Sequence, residues 1–68
     1  MSVYLTKNSY GLIQLWKHRP KLCHDPFNKA NLVWETVEKG EYGVEVNVIF
    51  GKFMTDKPVE EIVELKFK

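Results

Sequence analysis

Tyr42-Gly43-Val44-Glu45-Val46-Asn47-Val48-Ile49-Phe50 is the stretch on which the fold turns. Tyr42, Val44, Val46, Val48 and Phe50 fall on one side of an extended chain, and Gly43, Glu45 and Asn47 fall on the other. That is the period-two pattern of a half-buried strand. Upstream, Leu32-Val33-Trp34-Glu35-Thr36-Val37 is rich in β-branched and aromatic residues and reads as a second strand. Glu38-Lys39-Gly40 between them suits a three-residue hairpin loop with Gly40 in the left-handed region. This loop makes Thr36 face Tyr42, Trp34 face Val44 and Leu32 face Val46, which assigns Trp34 to the core. A slip of one residue would bury Glu35 among Tyr42, Val44 and Val46, so burial and turn chemistry favour the same register.

Working outward, Val3 to Thr6 and Leu12 to Lys17 flank Asn8-Ser9-Tyr10-Gly11, a turn-rich cluster, and predict an opening hairpin. If Val3 and Leu5 share the core face with Ile13 and Leu15, then Tyr4, Leu12 and Trp16 lie on the other. Pro20 and Pro26 interrupt regular structure, so residues 18–31 read as a long loop with one helical turn around Phe27 to Ala30. In the tail, Thr55-Asp56-Lys57-Pro58 can cap a helix, and Val59, Ile62, Val63 and Lys66 recur at helical spacing. Val63, Leu65 and Phe67 also alternate with Glu64, Lys66 and Lys68. We favour a strand from Glu61 to Phe67, with a short further strand at Lys52 to Met54 and Glu64 meeting Lys66 or Lys68 in solvent. The fold class expected is therefore all-β, or α+β should the C-terminal segment be helical. The architecture expected is a small antiparallel twisted sheet or open barrel of four to five strands.

A chain of 68 residues has room for one domain, spanning residues 1–68, and one core. A domain this small buries only about 60% of the surface its unfolded chain exposes. Domains of this size often lean on a disulfide, a metal or a second subunit. The single cysteine, Cys23, excludes an internal disulfide, and the spacing of a closed zinc site is missing. The core must then be good, or the chain associates with itself. Hydrophobic residues at 44% and aromatics at 13% are enough for a core and unlike a disordered composition. A lone cysteine with no apolar leader predicts a soluble, cytoplasmic protein, and no apolar run reaches the roughly 18 residues of a membrane span. Residues 1–34 hold five Lys/Arg and one acid, a balance of +4, and residues 35–68 hold five Lys and eight acids, a balance of −3. Two differently charged sides are implied.

The densest chemistry lies in Trp16-Lys17-His18-Arg19-Pro20-Lys21-Leu22-Cys23-His24-Asp25-Pro26-Phe27. His18, Cys23, His24 and Asp25 are metal-ligand types, but adjacent Cys23 and His24 diverge and the usual close pairing is absent. Cys23 beside His24 has the composition of a nucleophile and its base, yet adjacency in sequence supplies neither the geometry nor an oxyanion hole. Cys23 is better read as a small hydrophobe beside Leu22. Lys17, Arg19, Lys21 and Lys29 with Trp16 and Phe27 combine cations and stacking faces, the pattern of a weak nucleic-acid surface on a basic loop, residues 17–29. Trp16 has two roles open to it: a contact residue beside Tyr4 and Arg19, or a cover for the open end of the sheet. Gly40, Gly43 and Gly51 form no phosphate loop and read as a turn, a flat spot opposite a large neighbour, or a bulge.

Tyr4-Leu5, Gly11-x-Ile13-x-Leu15-Trp16-Lys17-x-x-Pro20, Trp34 and Asp56-Lys57-Pro58-Val59 before an alternating tail follow one another in an order spanning most of the chain. It resembles small uncharacterised β-rich proteins encoded by gut bacteria and their phages or mobile elements. The resemblance implies a compact sheet ending in a strand, and brings no activity, cofactor or catalytic residue. The loop from Lys21 to Ala30 departs from that pattern. The expectation for function is a non-enzymatic interaction module without catalytic residues, metal, cofactor or small-molecule substrate. It would bind a protein partner or a second copy through Tyr4, Trp16, Lys17, Arg19 and Lys21. The alternative is weak nucleic-acid binding through the basic loop.

Overall fold

Ser2–Lys7 (β1) and Ile13–Trp16 (β2) form the opening hairpin, in a computed structural model that describes residues 1–67. Leu5 lies opposite Leu15 and Tyr4 opposite Trp16, so Val3, Leu5, Ile13 and Leu15 do share a face. The loop is held by Asn8, whose Oδ1 accepts the N–H groups of Tyr10 and Leu12. Gly11 N–H bonds back to Asn8 O, and Gly11 has φ +82°. This is the three-residue loop ending in a left-handed glycine that the sequence suggested for Gly40.

The structure is β-rich: the described residues form six strands in two open antiparallel sheets and one short helix, and no barrel closes among them. Lys21–His24 (β3) pairs with Leu32–Glu35 (β4) in a two-stranded sheet. Val44–Glu45 (β5) and Val63–Lys66 (β6) are the edges of the main sheet, whose order is β5-β2-β1-β6. The tail is thus a strand, as favoured, with Leu65 opposite Val3 and Val63 opposite Leu5. Glu64 accepts from Ser2 Oγ at 2.7 Å; Lys68, its other expected partner, lies outside the described residues.

The stretch from Tyr42 to Phe50 is not one strand. β5 ends after two residues, and Asn47–Thr55 (α1) follows as a helix. Val46 N–H still donates to Ile13 O, but Val46 O turns to accept Phe50 N–H at 2.9 Å and Ile49 N–H at 3.1 Å. The Asn47 side chain replaces it in the ladder, accepting Ile13 N–H and donating to Gly11 O. The proposed strand at Lys52 to Met54 is the second half of this helix. Helix and strand periods coincide at Val46, Phe50 and Met54, which all pack on the sheet, and Val48 separates them. In a strand Val48 would join that face, whereas here it is wholly exposed.

The second predicted hairpin is not formed either. Trp34 lies opposite Leu22, and β5 instead pairs with β2, Leu15 opposite Val44. Gly40 does have positive φ, +83°, but Glu41 N–H bonds to Glu38 O. That puts the glycine third in its turn, as in type II, rather than at the following position that joins two strands. Thr36 Oγ1 accepts Glu38 N–H at 3.0 Å and turns the chain off the end of β4. The presumed loop over residues 18–31 contains β3: Pro20 and Pro26 bracket a strand instead of excluding one. Around Pro26 the Asp25 carboxylate accepts Phe27 N–H, and no helical turn forms at Phe27 to Ala30.

On one face of the main sheet Leu5, Ile13, Val46 and Met54 form the core, flanked by Leu15, Phe50, Val63 and Leu65. Lys7 Nζ donates to Thr55 O, placing a cation at the C-terminus of α1, where the helix dipole favours it. On the other face buried Trp16 donates its indole N–H to Thr6 Oγ1 at 2.8 Å. The β3–β4 hairpin docks on the end of β1 through Trp34 Nε1 to Lys7 O and a paired contact between Ser9 and Leu32.

Candidate interaction surface

Trp16 is 3% exposed, so of its two roles it takes that of cover, and the outward pair with Tyr4 is not formed. Tyr4 is half-buried, and Lys17, Arg19 and Lys21 are exposed. The reason is Gly43, which lies flat against the indole: a Cβ built on Gly43 would sit 2.6 Å from Trp16 Cζ2. The flat spot opposite a large neighbour was legible, but the neighbour is Trp16. Without its indole the basic loop has Phe27 alone as an exposed stacking face. Lys17 and Arg19 precede β3 while Lys29 follows it, so the strand separates the cations into two groups.

Cys23 and His24, successive on β3, project to opposite sides. His24 Nδ1 donates to Lys29 O at 2.9 Å, bracing the β3–β4 loop. The Cys23 thiol is pushed up from its ordinary pKa, first by burial and then by the nearby Glu35 carboxylate. A thiol so shifted carries less thiolate at neutral pH, the reverse of an activated nucleophile. Among the described residues no three of His, Cys, Asp and Glu converge as metal ligands.

Glu41 is the most heavily bonded charge in the chain's second half. Its carboxylate accepts Lys17 N–H at 2.9 Å and His18 N–H at 3.0 Å, and meets His18 Nδ1 at 2.9 Å and Thr36 Oγ1 at 3.3 Å. It ties the turn after β4 to the end of β2. Burial opposes its ionisation, but the hydrogen bonds and charge of His18 and the Lys17 N–H together hold it below the usual carboxylate range.

The surface that sequence reasoning missed runs from β5 into α1. Val48 is fully exposed, Ile49 is 75% and Val44 60% exposed, and Phe53 is half exposed. Val48 lines an open groove of about 610 Å³ between α1 and the β1–β2 turn, with Lys7, Ile13, Asn47 and Lys52. Val48 and Ile49 are β-branched and Gly51 sits mid-helix, so α1 has little intrinsic propensity and depends on packing. Only Met54 within it is buried. β5 differs from the opposite edge of its own sheet as well. That edge, β6, carries Glu64 and Lys66, and β3 carries Lys21, charges that discourage strand addition; β5, like β4, has no lysine and a single glutamate.

The total accessible surface is 4962 Å² for 8.0 kDa. A monomer of that mass is expected to expose about 4,450 Å². The excess, roughly 500 Å², approaches one side of a small protein–protein interface. No helix among the described residues is long and apolar enough to cross a membrane. A scan of protein-family models and searches of curated proteins and solved structures found no match to this chain.

Proposed function

We propose that this protein is a non-enzymatic interaction module that associates with a second copy of itself through β5 and the outer face of α1. The observation that carries this reading is the full exposure of Val48 beside Ile49, on a helix that gains neither propensity nor burial from them. The excess surface supports it, as does an edge strand lacking the lysine of the opposite edge, β6. Glu45 on β5 and Lys52 on α1 give the apolar patch a rim of both signs, which suits a surface meeting its own copy. The interface is thereby moved from the Tyr4 side and the basic loop, where Trp16 is covered, to the β5 edge and the outer face of α1.

Sedimentation equilibrium over low to high micromolar concentrations tests the reading. The wild-type chain should pass from monomer to dimer, and Val48→Ser with Ile49→Lys should remain monomeric with an unchanged circular-dichroism spectrum. A wild-type chain that stays monomeric throughout, or a double variant that dimerises equally well, overturns it.

A further inference from the structure

Resting on self-association as proposed above, we infer that two copies join β5 to β5 about a two-fold axis, making one continuous eight-stranded sheet. The backbone of β5 carries this. Val46 N–H donates to Ile13 O, and in an antiparallel ladder such bonded pairs alternate along the strand. Val44 therefore bonds inward to Leu15, while Gly43 and Glu45 turn their N–H and C=O groups outward from the sheet edge. Two outward residues with one residue between them are the smallest ladder a further strand can join.

Side chains then choose the register. Three two-fold arrangements keep outward groups opposite outward groups: centred on Gly43, on Val44 or on Glu45. Centring on Gly43 sets Glu45 opposite the other copy's Glu41, which lies in the turn closed by its own N–H to Glu38 O and cannot continue the ladder; centring on Glu45 sets Glu45 opposite itself. Like charges directly opposite are destabilising. Centring on Val44 sets Glu45 opposite Gly43, which has no side chain, and brings two exposed valines together. Gly43 N–H donates to Glu45 O and Glu45 N–H to Gly43 O, twice over by symmetry, giving four backbone hydrogen bonds. A two-fold axis normal to the sheet also places both α1 helices on the same side of the combined sheet. The partner is selected by main-chain pairing at a self-complementary edge, with the apolar patch shielding it.

Two variants test the arrangement. Glu45→Pro removes only an outward N–H, a position where an edge strand tolerates proline, and keeps the inward bonds of Val44 and Val46. It should weaken dimerisation by about tenfold to thirtyfold, whereas Glu45→Gln should leave it unchanged. Val44→Cys in a Cys23→Ser background should form a disulfide-linked dimer under mild air oxidation, because facing non-bonded residues lie about 4.5 Å apart at Cα. Ile49→Cys in the same background should not. A wild-type chain that is always monomeric defeats the self-association reading itself. A wild-type dimer that survives Glu45→Pro, or that Val44→Cys fails to cross-link, overturns the β5 pairing alone. Should Glu45→Pro unfold, the cross-linking result decides.

Discussion

The side-chain oxygen of Asn47 accepts the backbone N–H of Ile13 at 2.6 Å, standing where the next carbonyl of a β ladder would stand. That substitution frees Val46 O to begin α1 without leaving Ile13 N–H unpaired beside the core. Asn47→Ala should therefore destabilise the fold by about 1–2 kcal/mol, the cost of one unsatisfied partly buried donor. Asn47→Asp, which keeps an acceptor, should lose less. Urea denaturation followed by tryptophan fluorescence measures both; equal stability of Asn47→Ala and wild type refutes the role.

This junction also marks the limit of what the sequence reveals. The β1–β2 hairpin and the terminal strand are legible because their alternation is short and bounded by turn residues. From Tyr42 to Phe50, burial at Val46 and Phe50 satisfies both a period of two and a step of four. Only the exposure of Val48 distinguishes them, and exposure of a valine runs against any burial rule. The strand β3 was hidden for a related reason: Pro20 immediately before it and Pro26 two residues after it make a short segment resemble a loop. The positive φ of Gly40 was readable, yet its place in the turn decides whether strands meet or part. Of the candidate surface, the cations were legible and the apolar patch was not, since patterning reads Val44 and Val48 as core.

Gly43 and Gly40 should respond to different properties of an added methyl, its size at Gly43 and the handedness it imposes at Gly40. Gly43→Ala forces a Cβ into the Trp16 ring and should cost about 1–3 kcal/mol, with a change in tryptophan emission. Gly40→Ala meets nothing within 4 Å and costs only the left-handed backbone, about 1–2 kcal/mol, with emission unchanged. Thermal unfolding with fluorescence detection separates the two.

The Glu41 carboxylate gives the fold an acid sensitivity whose sign follows from its lowered pKa. A group depressed in the folded state contributes stability above its ordinary value, here 4.5, and that contribution is lost as pH falls through the lower folded value. Urea midpoints measured from pH 6 to pH 3 should fall more steeply for wild type than for Glu41→Gln, which keeps an acceptor but does not ionise. Parallel pH profiles would refute the assignment. Asp25, lowered by hydrogen bonds from Tyr10 and from Phe27 N–H, adds a second loss below its ordinary value of 3.8.

Trp16 and Thr6 form a buried pair on the face away from α1, where neither reaches water. Thr6→Val keeps the shape of the side chain and strands the indole N–H, so it should cost about 1–3 kcal/mol. Trp16→Phe removes the donor but opens space beside Gly43, so part of its cost is packing. The double variant has no orphaned donor. If the hydrogen bond carries the pairing, the double variant is less destabilised than the two single losses combined, with a coupling of about 1 kcal/mol. Additive losses in urea denaturation would assign the stability of this face to indole packing alone.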